Sequence, residues 1–232
     1  RTHQKPAAGE RSYGGGMRIA VTGGSGKLGR HVVRRLRDSG HDVVNLDRDG
    51  ERWSGWIAVD LTDYGQVVDA LGGIQGEQPP VEAIVHLAAI PAPGLHSDVT
   101  TFHDNLRATF NVFHAATRLG IDTVVYASSE TLLGLPFDTP PPYIPVDEDC
   151  TRPESVYSLV KHLEEQMAIE LCRWHPGLSI TALRFSNVMD VEDYAAFPAY
   201  DADPMLRKWN LWGYIDGRDG AHPRPHTPGS PH

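Results

Sequence analysis

The chain has 232 residues, 40% of them hydrophobic, with a formal net charge of -9 and a pI near 5.7. That length buries one large core, or one full domain and part of a second, and the acidic balance excludes a basic nucleic-acid footprint. Two cysteines without paired spacing, Cys150 and Cys172, exclude a disulfide framework, and no apolar run reaches membrane-spanning length, so a soluble, reducing, cytoplasmic setting is expected.

Residues 1–16 carry no periodicity and end in three glycines; they read as a disordered leader or an expression remnant. From Met17 the pattern becomes regular. Arg18 to Val21 is a short apolar run that stops at Thr22, and Leu28, Val32, Val33 and Leu36 then recur at helical spacing until Gly40. Val43, Val44 and Leu46 restart a buried strand. Between first strand and helix lie Gly23, Gly24, Gly26 and Gly29, so the turn, which also holds Lys27 and Leu28, satisfies G-x-G-x-x-G between a strand and a helix. Small residues let the turn tighten and the backbone approach a pyrophosphate, while free helix N–H groups face the phosphates. Asp47, 18 residues beyond Gly29, is placed to accept hydrogen bonds from an adenosine ribose, which favours NAD; Arg48 beside it weakens that preference.

Trp56 to Val59 reads as a third strand that ends at Asp60-Leu61, near the adenine, and Tyr64 to Leu71 as a helix. Val81 to Leu87 is the next buried strand. It closes on His86, Leu87, Ala88 and Ala89, where small residues let a ligand lie against the backbone. Thr101 to Leu119 is helical and carries Asn105, a polar group suited to holding a water chain or bending the helix beside a catalytic lysine. Thr123 to Ala127 is a fifth strand that delivers Ser128 and Ser129 to the edge bearing the glycine turn. A long proline-rich loop, Leu135 to Arg152, precedes a helix from Ser155 to Trp174, and Ser179 to Phe185 is a further strand with Arg184 and Asn187 at its exit.

Tyr157 and Lys161 stand four apart on one helix, so both side chains emerge on the same face. A tyrosine is a weak base at neutral pH, but a neighbouring ammonium and a positive nicotinamide ring both favour its phenolate. Ser129 can hydrogen-bond a substrate oxygen while Tyr157 takes its proton, which is acid–base catalysis coupled to hydride transfer.

Thr22-Gly23-x-x-Gly26-x-x-Gly29, Asp47, Asp60-Leu61, His86-Leu87-Ala88-Ala89, Asn105, Ser128-Ser129, Tyr157-x-x-x-Lys161 and Arg184-x-x-Asn187-Val188 together resemble an extended short-chain dehydrogenase/reductase of the NAD-dependent epimerase/dehydratase group. The resemblance runs from Met17 to about Ala221. It implies Ser129, Tyr157 and Lys161 as a catalytic triad, Asn105 as its fourth member near the nicotinamide, and Asn187 as a contact to substrate, usually a nucleotide sugar. It also implies a homodimer built by the helices bearing Asn105 and Tyr157. Ser129-Glu130-Thr131 stands where family dehydratases carry Thr-Asp-Glu, which disfavours dehydration and leaves Glu130 facing substrate. Met189-Asp190-Val191 replaces the family's Tyr-Gly-Pro, which brings sugar acids and small polyols among the expected substrates.

The expected fold is an α/β Rossmann domain, a doubly wound parallel sheet with helices on both faces, over residues 17–188. Residues 189–221 form a partial substrate segment in which Tyr214 to Asp216 resembles the start of a strand. Residues 222–232, with four prolines, read as a disordered tail whose histidines His222, His226 and His232 form no metal site. A truncation or altered reading frame would explain the abrupt loss of apolar periodicity and is the expectation here. Three functions follow: an NAD-dependent sugar or nucleotide-sugar epimerase, an aldose or uronate dehydrogenase releasing NADH, or a catalytically impaired NAD-binding module.

Overall fold

The structure, a computed structural model, describes residues 16–73 and 78–222; nearly all of the leader and the tail read from the sequence lie outside them. Six strands, β1 (Arg18–Thr22), β2 (Asp42–Asp47), β3 (Trp56–Ala58), β4 (Ala83–His86), β5 (Thr123–Ser129) and β6 (Ser179–Phe185), form one sheet in the order β3-β2-β1-β4-β5-β6. Every pairing is parallel, in line with the expected doubly wound arrangement. The order reverses between β1 and β4, so the carboxyl ends of these two strands flank a crevice.

Helices α1 (Gly29–Asp38), α2 (Tyr64–Gly72), α3 (Asp98–Leu119) and α4 (Val156–Trp174) connect the strands. On one face α2, α3 and α4 pack Val67, Leu71, Val112, Phe113 and Leu171 against Leu46, Ile84, Val124 and Tyr126. On the other, Leu28, Val32 and Val33 of the α1 region cover Val21 and Val43. Buried aliphatic side chains of this kind each contribute roughly 1.5–3 kcal/mol, so these two layers fix the strand ends against which the crevice opens.

Local signals set the ends of the helices. Asp63 caps α2 through Gly65 N and Gln66 N, and Gly73 closes it in the left-handed region at φ 67°. Helix α3 begins three residues before the expected start, because Ser97 caps it through Thr100 N. Beyond β6 the regular alternation stops, as the sequence indicates. Two short strands, β7 (Val188–Met189) and β8 (Ile215–Asp216), pair in parallel, and between them runs a string of short helical turns that includes α5 (Phe197–Ala202). A final turn, α6 (Gly217–Gly220), docks Ala221 onto Leu28 and Val32.

Candidate active site

One cavity of about 1050 Å³ lies along the carboxyl edge of the sheet. Every residue read from the sequence as a site candidate lines it. The glycine turn contributes Gly23, Gly26, Lys27, Leu28 and Gly29, and the ends of β2 and β3 bring Asp47, Arg48, Asp60 and Leu61. Leu87, Ala88 and Ala89 follow β4, Asn105 comes from α3, Ser128, Ser129 and Glu130 from the end of β5, Tyr157 and Lys161 from α4, and Asn187 from beyond β6.

The glycine turn is built by close backbone approach. Gly23 has φ 68°, and a methyl group there would lie 2.7 Å from Ala88 N and Cα, so the turn sits directly against the end of β4. Ser25 N donates to Asp47 Oδ2 at 3.0 Å and Arg48 N to Oδ1 at 2.9 Å, so Asp47 joins the turn to the end of β2. The first turn of α1 has neither a side-chain cap nor an acidic residue. Arg30 N and His31 N already donate to the Gly26 and Leu28 carbonyls, and no protein carboxylate caps the helix start that Lys27, Leu28 and Gly29 bring to the cavity, which suits a pyrophosphate. The side chain of Lys27 has a protein partner, Asp193 Oδ2, at 2.7 Å.

Asn105 is buried, and its amide closes a reciprocal pair with Ile90: the Ile90 N–H donates to Oδ1 at 2.7 Å and Nδ2 donates to the Ile90 carbonyl at 3.0 Å. Both ends of that amide thus hold the cavity wall after β4. Ser129 is the last residue of β5, two residues past the expected strand end. Its oxygen accepts from Thr131 N at 3.2 Å and Thr131 Oγ1 at 3.0 Å, so its own proton remains available to the cavity. The Ser128 hydroxyl donates instead to Glu165 Oε1 at 2.5 Å, and Glu165 is paired with Arg184 at 2.7 Å. Burial pushes the Glu130 carboxyl up to about 7, against the opposing Asn187 N–H, Asn210 amide and Arg207 guanidinium, so this acid changes charge near neutral pH.

Behind the cavity runs a buried chain of hydrogen bonds. Lys161 Nζ donates to the Ala127 carbonyl at 2.9 Å and to Glu164 Oε2 at 2.8 Å. Thr109 Oγ1 donates to Glu164 Oε1 at 2.8 Å and lies 3.0 Å from His86 Nε2, while His86 Nδ1 lies 2.7 Å from Thr22 Oγ1. Burial, helped by the Lys161 charge, pushes His86 down to about 3, so the ring is neutral. The Thr109 proton is committed to Glu164, which leaves His86 Nε2 to donate and Nδ1 to accept from Thr22. The Thr22 oxygen in turn accepts from Leu87 N at 3.2 Å and Ala88 N at 3.3 Å.

Sequence reading missed Ile90 to Pro93, Leu135, Pro136, Glu154 and Trp209, which also line the cavity. The prolines spaced after β4, at Pro91 and Pro93, were the one local signal of a wall that leaves the sheet. Trp209 carried none.

A phosphate-ready glycine turn sharing one cavity with a serine, a tyrosine and a lysine from β5 and α4 defines an extended short-chain dehydrogenase/reductase on a Rossmann domain. Within that class the chain belongs to the NAD dependent epimerase/dehydratase family, whose model matches residues 19–210. UDP-glucose 4-epimerase of Bacillus subtilis (strain 168) is 30% identical over 217 residues, covering 86% of this chain and 60% of that protein. L-arabinose 1-dehydrogenase (NAD(P)(+)) of Haloferax volcanii is 29% identical over 185 residues, covering 76% of this chain and 69% of that protein. Among solved structures, a UDP-galactose 4-epimerase superposes with a TM-score of 0.67 at 32% identity, over 88% of this chain and 69% of that one. The chain spans about 60% of the length of the Bacillus subtilis relative. The family's cofactor, NAD, fits the residues present: the Gly23 to Gly29 turn leaves a cradle, and Asp47 lines the same cavity at the end of β2.

Proposed function

We propose that this chain carries the hydride-transfer site of an NAD-dependent sugar epimerase, acting on a hydroxyl-bearing carbon of a sugar or nucleotide sugar. The observation that supports this reading is the meeting of Ser129, Tyr157 and Lys161 in the cavity that also holds the glycine turn. NAD, when bound, supplies a hydride acceptor that can return the hydride. Ser129 donates a hydrogen bond to the substrate oxygen, Tyr157 removes the hydroxyl proton as the C–H hydride leaves, and the Lys161 ammonium favours the phenolate. If the keto sugar turns over before it is reduced, Tyr157 returns the proton and the epimer results. The test incubates the chain with NAD and, separately, UDP-glucose, UDP-galactose, L-arabinose and a uronate, and follows NADH absorbance and product identity. Epimerised sugar without net NADH is the expected result. Bound NAD with no turned-over sugar would overturn the reading in favour of an NAD-binding module.

A second reading, net dehydrogenation of a free aldose, is favoured by the substrate end of the cavity. Glu130 and Glu154, the latter paired with Arg152 at 2.6 Å, line the cavity, and its cationic lining residues are Lys27, paired with Asp193, Arg48 at the end of β2, and Lys161, which is buried. Two carboxyl groups there suit a neutral polyol better than a diphosphate. Steady NADH release with L-arabinose in the same assay is its signature.

We infer that two copies associate through α3 and α4. Val99 and Phe110, three turns apart on one face of α3, and Leu159 and Ile169 of α4 are exposed, at 67%, 46%, 41% and 58%. Phe110→Arg combined with Leu159→Arg is expected to convert a dimer into a monomer by light scattering without changing the melting profile of the isolated fold. A monomeric parent chain at micromolar concentration would overturn this.

A further inference from the structure

The buried pair Lys161–Glu164 has a consequence beyond family membership. Glu164 is fully buried, and each of its oxygens accepts a hydrogen bond, one from Thr109 and one from Lys161. Lys161 is also buried, so water does not compensate either charge. An ammonium has three protons; Ala127 O and Glu164 take two, which leaves one for the cavity that Lys161 lines. The orientation of the carboxylate is itself held from a distance, because Thr109 is fixed by His86 and His86 by Thr22, at the root of the glycine turn.

We propose that Glu164 is a positioning residue for the reaction: its buried carboxylate, aligned by the Thr109–His86–Thr22 chain, keeps Lys161 an ammonium ion and aims that ion's remaining proton at Tyr157 and the cofactor. This rests on the reading of Tyr157 and Lys161 as the acid–base pair. The sign of the effect follows from the surroundings. Burial alone would pull Lys161 downward, and the Glu164 carboxylate, with smaller help from Tyr157 and Glu165, reverses this to a net upward shift. The other groups facing the ammonium do not replace Glu164. His86, across Thr109 from β4, is neutral, Glu165 is paired with Arg184 of β6, and β5 offers the uncharged Ala127 carbonyl. Without its carboxylate partner, Lys161 loses its proton within the working pH range and no longer supports a phenolate.

The chain has four lysines, so lysine-selective ¹⁵N NMR of the cofactor-free protein reads the Lys161 ammonium directly. In the parent chain the Lys161 signal should remain that of an ammonium through pH 10, while Glu164→Gln, which keeps the shape, should lower its titration midpoint by at least about one unit. Thr109→Val, which removes one support of the carboxylate, should lower it by a smaller step. A Lys161 midpoint in Glu164→Gln within about 0.3 unit of the parent overturns the proposal. Should Glu164→Gln not fold, Thr109→Val decides, and an unchanged midpoint there overturns it. In turnover assays Glu164→Gln should add a falling alkaline limb to the pH profile, whereas a merely structural role would lower activity evenly. Absence of turnover in the parent sinks the catalytic reading, and the NMR titration remains readable independently of it.

Discussion

Tyr157→Phe is expected to lower turnover by about 10²–10⁴-fold, the usual worth of a positioned acid–base group, while NAD affinity changes by less than about threefold. The side chain is 7% exposed and lines the cavity from the first turn of α4, where Ser155 and Ser158 lock the helix start in a reciprocal capping box. The phenyl ring keeps its packing and only the ionisable oxygen is lost. The effect therefore belongs on kcat, read from NADH absorbance or product formation, with cofactor binding measured separately by calorimetry. Activity retained within tenfold would mean that another group moves the proton. Glu130 is the candidate then, because it lines the same cavity one residue beyond Ser129 and changes charge near neutral pH.

The two halves of the site were unequally legible in the sequence, for physical reasons. The glycine turn, Asp47 and the Tyr157/Lys161 pair carry their geometry in short spacings, because a strand-turn-helix and a four-residue helical step fix relative position locally. The doubly wound parallel sheet followed from regular alternation of strands and helices, which leaves few parallel topologies. Functions set by distant partners had no such trace. Glu164 reads as one of two adjacent acids on a helix, and only the fold brings Thr109 from α3 and His86 from β4 to it. Lys27 reads as a cofactor-side residue of the glycine turn, yet Asp193, 166 residues later, lies 2.7 Å from its ammonium. Asn105 reads as a polar interruption on a helix, and its clamp on Ile90 exists only because the chain after β4 folds back over α3.

The glycines of the turn are expected to separate into two kinds under substitution. A methyl group at Gly29 would lie within 2.6 Å of Gly24 Cα and closer still to the Gly23 carbonyl oxygen, which is backbone that can yield only by opening the turn. Gly29→Ala should therefore lose both stability, by about 1–3 kcal/mol or more, and measurable NAD binding. At Gly26 the same methyl would meet a single protein atom, the Gly23 carbonyl oxygen, at 3.2 Å, and would project where the residue lines the cavity. Gly26→Ala should leave the melting temperature within a few degrees of the parent and still weaken NAD by at least about tenfold, because the methyl occupies the path of the pyrophosphate rather than the packing of the fold. Melting curves and NAD calorimetry on the two variants distinguish the cases. A Gly26→Ala chain that binds NAD as tightly as the parent would show that the phosphates do not cross that glycine, and a Gly29→Ala chain of undiminished stability would show that helix α1 does not depend on close packing against the turn.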